Sequence, residues 1–297
     1  MKNFIRKLTP KFLLEWYRLR KKKMTRSALE AQAKENKGWT KSQLINQLEE
    51  IGIQSGDTVL VHSALSKMGF VKGGPDTVVN AILEVVGTEG NVLMPNSPNA
   101  SLQLDYIHNL EVFDVKNDKS KLGVISEKFR IHPEAKRSWH PTEPVSCIGP
   151  DADYFVGEHF GEITPYNKKS PFYKVSEKKG KILMIGVTLD NAGTNLHTLE
   201  DAVDHFKFPV YYPTGFEVDI KIPNGEIKSV KTKVHNPVWS KKRKCDKLIP
   251  LFEKERVLRH VQLGNAPTLL LDAERMLKVM IKQYDQNGVT MYTPFGS

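Results

Sequence analysis

Thr58-Val59-Leu60-Val61-His62 is the stretch that decides the fold. It is a short apolar run rich in β-branched residues, entered from the turn signal Gly56-Asp57 and left through Ser63-Ala64. A continuous apolar run of this length suits a strand buried on both faces, as in a parallel sheet. Working outward, Asn91-Val92-Leu93-Met94-Pro95 is a second such run and Lys181-Ile182-Leu183-Met184-Ile185-Gly186 a third. Between the first two, Gly73-Gly74-Pro75-Asp76 breaks the chain. Asp76 to Val86 then places Val78, Val79, Ile82 and Val86 on one side of a helix. Strand, helix, strand is a βαβ unit, so an α/β fold with a mainly parallel sheet is predicted. Further helices are predicted over 40–50, 120–131, 195–206 and 273–284. Phe216–Ile222 and Glu226–Val234 flank Pro223-Asn224-Gly225, and Asn-Gly is a strong hairpin signal.

The charge is unevenly placed. The 297 residues carry a formal net charge of +10. Residues 1–26 hold ten bases against the single acid Glu15, which leaves 34 bases against 33 acids in the rest. The body is therefore nearly neutral, and a nucleic-acid-binding body is not indicated. Ile5, Leu8, Phe12, Trp16 and Leu19 recur at helical spacing. Thr9-Pro10 is the expected cap and first position of a helix to about Lys23, with Phe12, Leu13, Trp16, Tyr17 and Leu19 on its apolar side. A basic amphipathic helix of this kind suits an anionic membrane surface, packing on the chain's own body, or a partner such as a second copy in a homodimer. Residues 1–37 are read as this extension and 38–297 as the functional domain. The N-terminal residues lack the apolar core and cleavage site of a secretory signal, and no run is long enough to span a bilayer. A cytoplasmic location is expected, at most peripheral at the inner membrane face. Cys147 and Cys245 are expected to be idle thiols.

Two loops carry chemistry. His62-Ser63-Ala64-Leu65-Ser66-Lys67-Met68-Gly69 leaves the first strand and precedes Gly73-Gly74. Ligands of open α/β sheets sit beyond the carboxyl ends of strands, where backbone N–H groups can hold a phosphate. The loop is neither GxGxxG nor a Walker loop, so an ordinary strand-to-helix turn fits as well. Beyond the third strand, His197 and Glu200 are i and i+3 on one turn. They form either a surface ion pair or an imidazole oriented by a carboxylate, which is what a general base needs. A metal reading has no partner His at ligand spacing, and none is expected. Arg137-Ser138-Trp139-His140-Pro141 reads as a loop with a cation, a hydroxyl and an imidazole.

Taken in order, Gly56–Ser66, Gly73-Gly74, Val92–Pro95, His132–Ala135, Arg137–Pro141, Gly149-Pro150, Ser170-Pro171, Gly180–Val187, Asp190, Leu196-His197 with Glu200, and Gly264–Ala266 resemble the aminoglycoside 3-N-acetyltransferase family over about residues 38–280. The resemblance implies an antibiotic N-acetyltransferase-like α/β sandwich, with a central mixed, mainly parallel sheet, a β-hairpin insertion and, here, the N-terminal amphipathic helix. It implies direct acetyl transfer from acetyl-CoA to an amine, with His197 as general base beside Glu200, and Thr198 as a candidate oxyanion donor. It implies cofactor binding by His62, Ser63, Ala64, Leu65, Ser66, Gly73 and Gly74, with Arg137 and Ser138 in the same groove. The neutral body and the cationic stretches Lys228-Lys231-Lys233 and Lys241–Lys244 point to an anionic acceptor, a nucleotide- or lipid-linked amino sugar of polysaccharide biosynthesis. The alternatives are an aminoglycoside acceptor, held by an acidic pocket of Glu200, Asp201 and Asp204, and a noncatalytic membrane-associated scaffold.

Overall fold

The computed structural model describes residues 11–35 and 37–296. The stripe positions Ile5 and Leu8 and the expected cap Thr9-Pro10 lie outside the described residues. The strands are β1 (Thr58–Ser63), β2 (Asn91–Pro95), β3 (Val112–Asp114), β4 (Lys136–Arg137), β5 (Val145–Ile148), β6 (Lys181–Ile185), β7 (Phe216–Lys221), β8 (Ile227–Thr232), β9 (Leu258–Leu263) and β10 (Ala266–Asp272). Seven of them form one sheet in the order β4-β5-β2-β1-β6-β10-β9. β1 lies at its centre, parallel to β2 and to β6, with Leu60 opposite Leu93 on one side and Ile182 on the other. The flanking pairs β2–β5, β4–β5, β6–β10 and β10–β9 are antiparallel. Five of the seven strands still point the same way, because each flank reverses direction twice.

The three apolar runs become the three central strands for a simple reason. Helices cover both faces there, so every residue of β2 and the first five of β1 are buried, and only continuous apolar sequence tolerates that. On one face, Val59, Val61, Val92 and Leu183 pack with Val78, Val79, Ile82 and Val86 of the helix Gly74–Val86. On the other, Leu60, Leu93, Ile182 and Met184 pack with Phe172, Leu199, Met276 and Met280. The hairpin forms as read, β7 pairing with β8 from Phe216↔Thr232 to Lys221↔Ile227. It adds β3 in parallel to make a separate three-stranded sheet. Cys147 and Cys245 are free and buried.

Two helices differ from the pattern reading. The basic N-terminal helix runs Lys11–Lys34, past the end expected near Lys23. Leu13, Trp16, Tyr17, Leu19 and Met24 on it are exposed, so these side chains do not pack on the body. Among the described residues, no helix is long and apolar enough to cross a membrane. The predicted helix 195–206 is instead a 3-10 turn, Thr194–His197, followed by the single turn Thr198–Ala202. That break turns His197 toward the carboxyl end of the central sheet.

Candidate active site

The parallel strands β1 and β6 end side by side, with Ser63 opposite Ile185. Gly186 then turns the chain at φ +67, where a Cβ would lie 2.4 Å from Lys67 Cβ. A residue with a side chain would meet both a left-handed backbone and a steric clash here, so the tight exit from β6 depends on glycine. Beyond it lies a cleft of about 360 Å³. It is lined by His62, Ser63, Pro95, Leu122, Ser126 and Val187 on one side, and by Glu143, Tyr166, His197, His235 and Arg243 on the other. This is the crevice outside the carboxyl ends of the strands where open α/β sheets bind ligands.

His197 is buried at the bottom of the cleft, 3% exposed. Its Nδ1 lies 2.8 Å from Glu200 Oε1, and His235 Nε2 lies 2.7 Å from Glu200 Oε2. The Tyr292 hydroxyl donates to Glu200 Oε1 at 2.7 Å. One carboxylate thus receives three donors, two of them from distant stretches of chain. Burial pushes the Glu200 carboxyl up, but the two imidazoles and their hydrogen bonds outweigh it and hold the group below the usual carboxylate range. His197 is pushed down to about 3, first by burial and then by Arg243 and His235, against the pull of Glu200. The imidazole is therefore neutral. With an ionised Glu200 on Nδ1, its proton sits there and its lone pair on Nε2, at the cleft. Tyr166 leans on His197 and His235 at 5.0 and 5.4 Å between ring centroids, and Tyr211 stacks on His235 at 5.1 Å. These rings fix both imidazoles.

The donor atoms of His197, Glu200 and His235 lie within 4.8 Å of one another. Both oxygens of Glu200 are already taken by N–H and O–H donors, and the Arg243 guanidinium lies against His197 Nε2. The donor set is that of an oriented base rather than of a cation site.

The remaining expected site residues separate into two groups. His62 and Ser63 line the cleft, with His62 Nε2 3.2 Å from the Thr194 hydroxyl. Burial pushes His62 down to about 4. Leu65 and Ser66 form a short 3-10 turn after Ala64, and Gly73-Gly74 starts the following helix at positive φ. Ala64, Leu65, Ser66, Gly73 and Gly74 stand behind the cleft rather than on its wall. Arg137 and Ser138 need a correction, because neither lies in the groove. Arg137 is buried and its guanidinium is spent on Asn96 and on the carbonyls of Val115 and Asp118. The Ser138 hydroxyl accepts from Val145 N and bonds His159. Both brace a loop. Thr198 also turns away, donating to the Asn195 carbonyl at 2.6 Å.

The expected acidic pocket changes composition as well. Asp201 is taken by the Tyr211 hydroxyl, and the carboxylate on the cleft wall beside the base is Glu143, which burial pushes up to about 7. His235, Tyr292, Glu143 and Arg243 escaped sequence reasoning. His235 sits just past the hairpin, and no local spacing links it to Glu200, 35 residues earlier. Only Arg243 had a signal, as part of the Lys241–Lys244 run.

The family profile described as aminoglycoside 3-N-acetyltransferase matches residues 60–285. The chain belongs to the aminoglycoside 3-N-acetyltransferase family. Aminoglycoside N(3)-acetyltransferase IX of Micromonospora chalcea is 28% identical over 178 residues, 56% of this chain and 63% of the relative. Aminoglycoside N(3)-acetyltransferase IV of a Salmonella species is 32% identical over 164 residues, 54% of this chain and 59% of the relative. The chain thus spans about three-fifths of the length of these curated relatives. Among solved structures, AAC-VIa bound to sisomicin superposes with a TM-score of 0.70 at 26% identity, covering 84% of this chain and 98% of that one. The AAC-IIIb binary complex with CoASH superposes with a TM-score of 0.70 at 24% identity, covering 84% and 97%, and shows the shared fold.

These findings overturn the expectation of a nucleotide- or lipid-linked amino sugar from polysaccharide biosynthesis. The charge argument failed because formal charge was summed over the whole surface. Lys241, Lys242 and Lys244 lie off the cleft, and of that run only Arg243 reaches it, where Glu143 and the buried Glu200 offset it.

Proposed function

We propose that this chain is an acetyl-CoA-dependent N-acetyltransferase whose acceptor is an amine of an aminoglycoside, with His197 as general base. The observation that carries the reading is the His197 imidazole, its Nδ1 on Glu200 and its Nε2 at the cleft. An ammonium is no nucleophile, so N-acylation needs a neutral nitrogen acceptor within reach of the attacking amine. His197 Nε2 takes the proton as the amine attacks, and the Glu200 carboxylate stabilises the imidazolium that forms. His235 and Tyr292 hold that carboxylate in place, so the base is oriented before substrate arrives.

Acetyl-CoA supplies an activated acyl thioester. A wall of Pro95, Leu122 and Val187 with the Ser63 and Ser126 hydroxyls is apolar with few polar groups, as a slender acyl arm requires. Of the loop His62–Ser66, His62 and Ser63 are assigned to this wall, and Ala64, Leu65 and Ser66 with Gly73 and Gly74 to the turn that supports it. Glu143 is assigned to the acceptor ammonium. The relatives' names support the acceptor class, and the related structures containing sisomicin and a gentamicin support the size of the ligand.

The test is acetyl-CoA-dependent thiol release with sisomicin, gentamicin and apramycin. Release with at least one of them, reduced at least about a hundredfold in His197→Ala, is the expected result. Full activity in His197→Ala would remove the base assignment. No release by wild type with any of the three would remove the acceptor class.

A further inference from the structure

Three described arginines lie buried or half-buried around the sheet, and one is built unlike the others. Arg137 spends its guanidinium on four bonds, to Asn96 Oδ1 and to the carbonyls of Asn96, Val115 and Asp118. Arg130 pairs with both oxygens of Glu127 and donates to the Lys116 carbonyl. These are braces. Arg243 makes two bonds, to the Ser240 hydroxyl at 2.7 Å and to His197 Nε2 at 3.0 Å. Its Nε is buried with no partner, and it forms no ion pair with a described residue. A buried N–H without a partner disfavours the position that leaves it so. The guanidinium is thus held loosely, on a loop after the short helix Pro237–Ser240, and one of its N–H groups points at the lone pair that must take the substrate proton.

A guanidinium N–H⁺ on a neutral imidazole is the same hydrogen bond that an acceptor ammonium would make there. We infer that Arg243 is a displaceable stopper: its guanidinium stands in for the acceptor's ammonium at His197 Nε2, and the acceptor must move it aside before the base can act. The inference rests on the reading of His197 as the base and adds a residue that positions and guards it. While in place, Arg243 holds His197 in the tautomer with the proton on Nδ1, ready for use. Acceptors that merely enter the cleft leave the base covered, whereas one that brings a cation to Nε2 uncovers it.

The groups facing His197 are Glu200 on Nδ1, Arg243 on Nε2, and the rings of His235 and Tyr166. Tyr292 acts through Glu200, and Glu143 lines the same cleft. Of these, Arg243 and His235 push the imidazole down while Glu200 pulls it up. Removing the Arg243 charge therefore moves the His197 titration upward. A base must be neutral to work, so the acid limb of the rate profile moves upward with it.

The experiment uses the full chain as wild type, Arg243→Ala and Arg243→Lys. Histidine ¹⁵N resonances are followed against pH, and acceptor kinetics are measured with sisomicin. In Arg243→Ala the stopper predicts a His197 midpoint raised by about one unit and an acceptor KM lowered by about tenfold, the scale of one lost charge-assisted hydrogen bond. Arg243→Lys should fall between wild type and Arg243→Ala in both readouts. A hundredfold loss of turnover at unchanged KM and unchanged titration would overturn the proposal and make Arg243 a charge stabiliser of the reaction. Unchanged titration and kinetics would make it a bystander. If wild type releases no thiol with any aminoglycoside, the acetyltransferase reading falls, and the titration alone still decides whether Arg243 sits on the base nitrogen.

Discussion

Two pairs of buried histidines lie in this molecule at nearly the same spacing. The His197 and His235 rings are 4.5 Å apart, and the His140 and His159 rings 4.6 Å apart. All four are nearly inaccessible, and burial is the first cause that pushes each below the ordinary histidine range. What separates the pairs is where their nitrogens lead. The nitrogens of His159 end on the Ser138 hydroxyl and the Pro165 carbonyl, and those of His140 on Thr142 and Thr232. None of these partners is charged, and neither ring reaches the cleft. His197 and His235 share the Glu200 carboxylate, and His197 keeps one nitrogen on the cleft wall. Burial and a depressed pKa are common to both pairs, so neither marks a base. A carboxylate on one nitrogen, and on the other a lone pair at the cleft covered by the Arg243 guanidinium, do.

The sharpest way to break this contrast is to remove one ring from each pair. His197→Ala is expected to lose at least about a hundredfold in turnover. His159→Ala should leave turnover within about threefold but destabilise the fold by about 1–3 kcal/mol, since the Ser138 hydroxyl and the Pro165 carbonyl lose a partner. Thermal denaturation and thiol release on the same two variants check it, and the reverse pattern would abolish the distinction.

A smaller effect tests the shared carboxylate. Glu200→Gln keeps the shape but turns one acceptor oxygen into an NH₂ donor facing N–H or O–H groups. Turnover should fall by about tenfold or more, with a stability cost of about 1–3 kcal/mol. Calorimetric unfolding together with kinetics separates the two parts, and unchanged kinetics would show that the carboxylate does not tune the base.

A pH effect treats the buried imidazoles alike, whichever pair they belong to. A histidine whose folded pKa lies below its unfolded value of about 6.5 binds fewer protons when native. Its stabilising contribution is complete above pH 6.5 and is lost as pH falls toward the folded value, at up to about 1.4 kcal/mol per pH unit for each ring. His62, pushed down to about 4, and His140 and His197, each pushed down to about 3, place this loss between pH 6.5 and about 3. Glu143, raised to about 7, has the opposite sign and offsets part of it. Chemical denaturation at pH 7 and pH 5 should show a clear drop in stability, smaller in His140→Gln. A flat profile would contradict the neutral burial of these rings.

Local pattern was enough for much of this molecule. Continuous apolar runs specified β1, β2 and β6, because strands covered on both faces admit little else. Asn224-Gly225 specified the hairpin, and the i, i+3 spacing of His197 and Glu200 specified that the two side chains meet, because one helical turn brings such residues together; it left open whether they meet at the surface or, as found, buried at the cleft. Tertiary structure decided the rest. It turned Arg137 and Ser138 into braces, took Thr198 away from the cleft, and brought His235, Arg243 and Tyr292 to a pair already legible in sequence. These partners arrive from 35 to 92 residues away. Short-range periodicity encodes the direction of a side chain on its own element, but not which distant element the packed core will set against it.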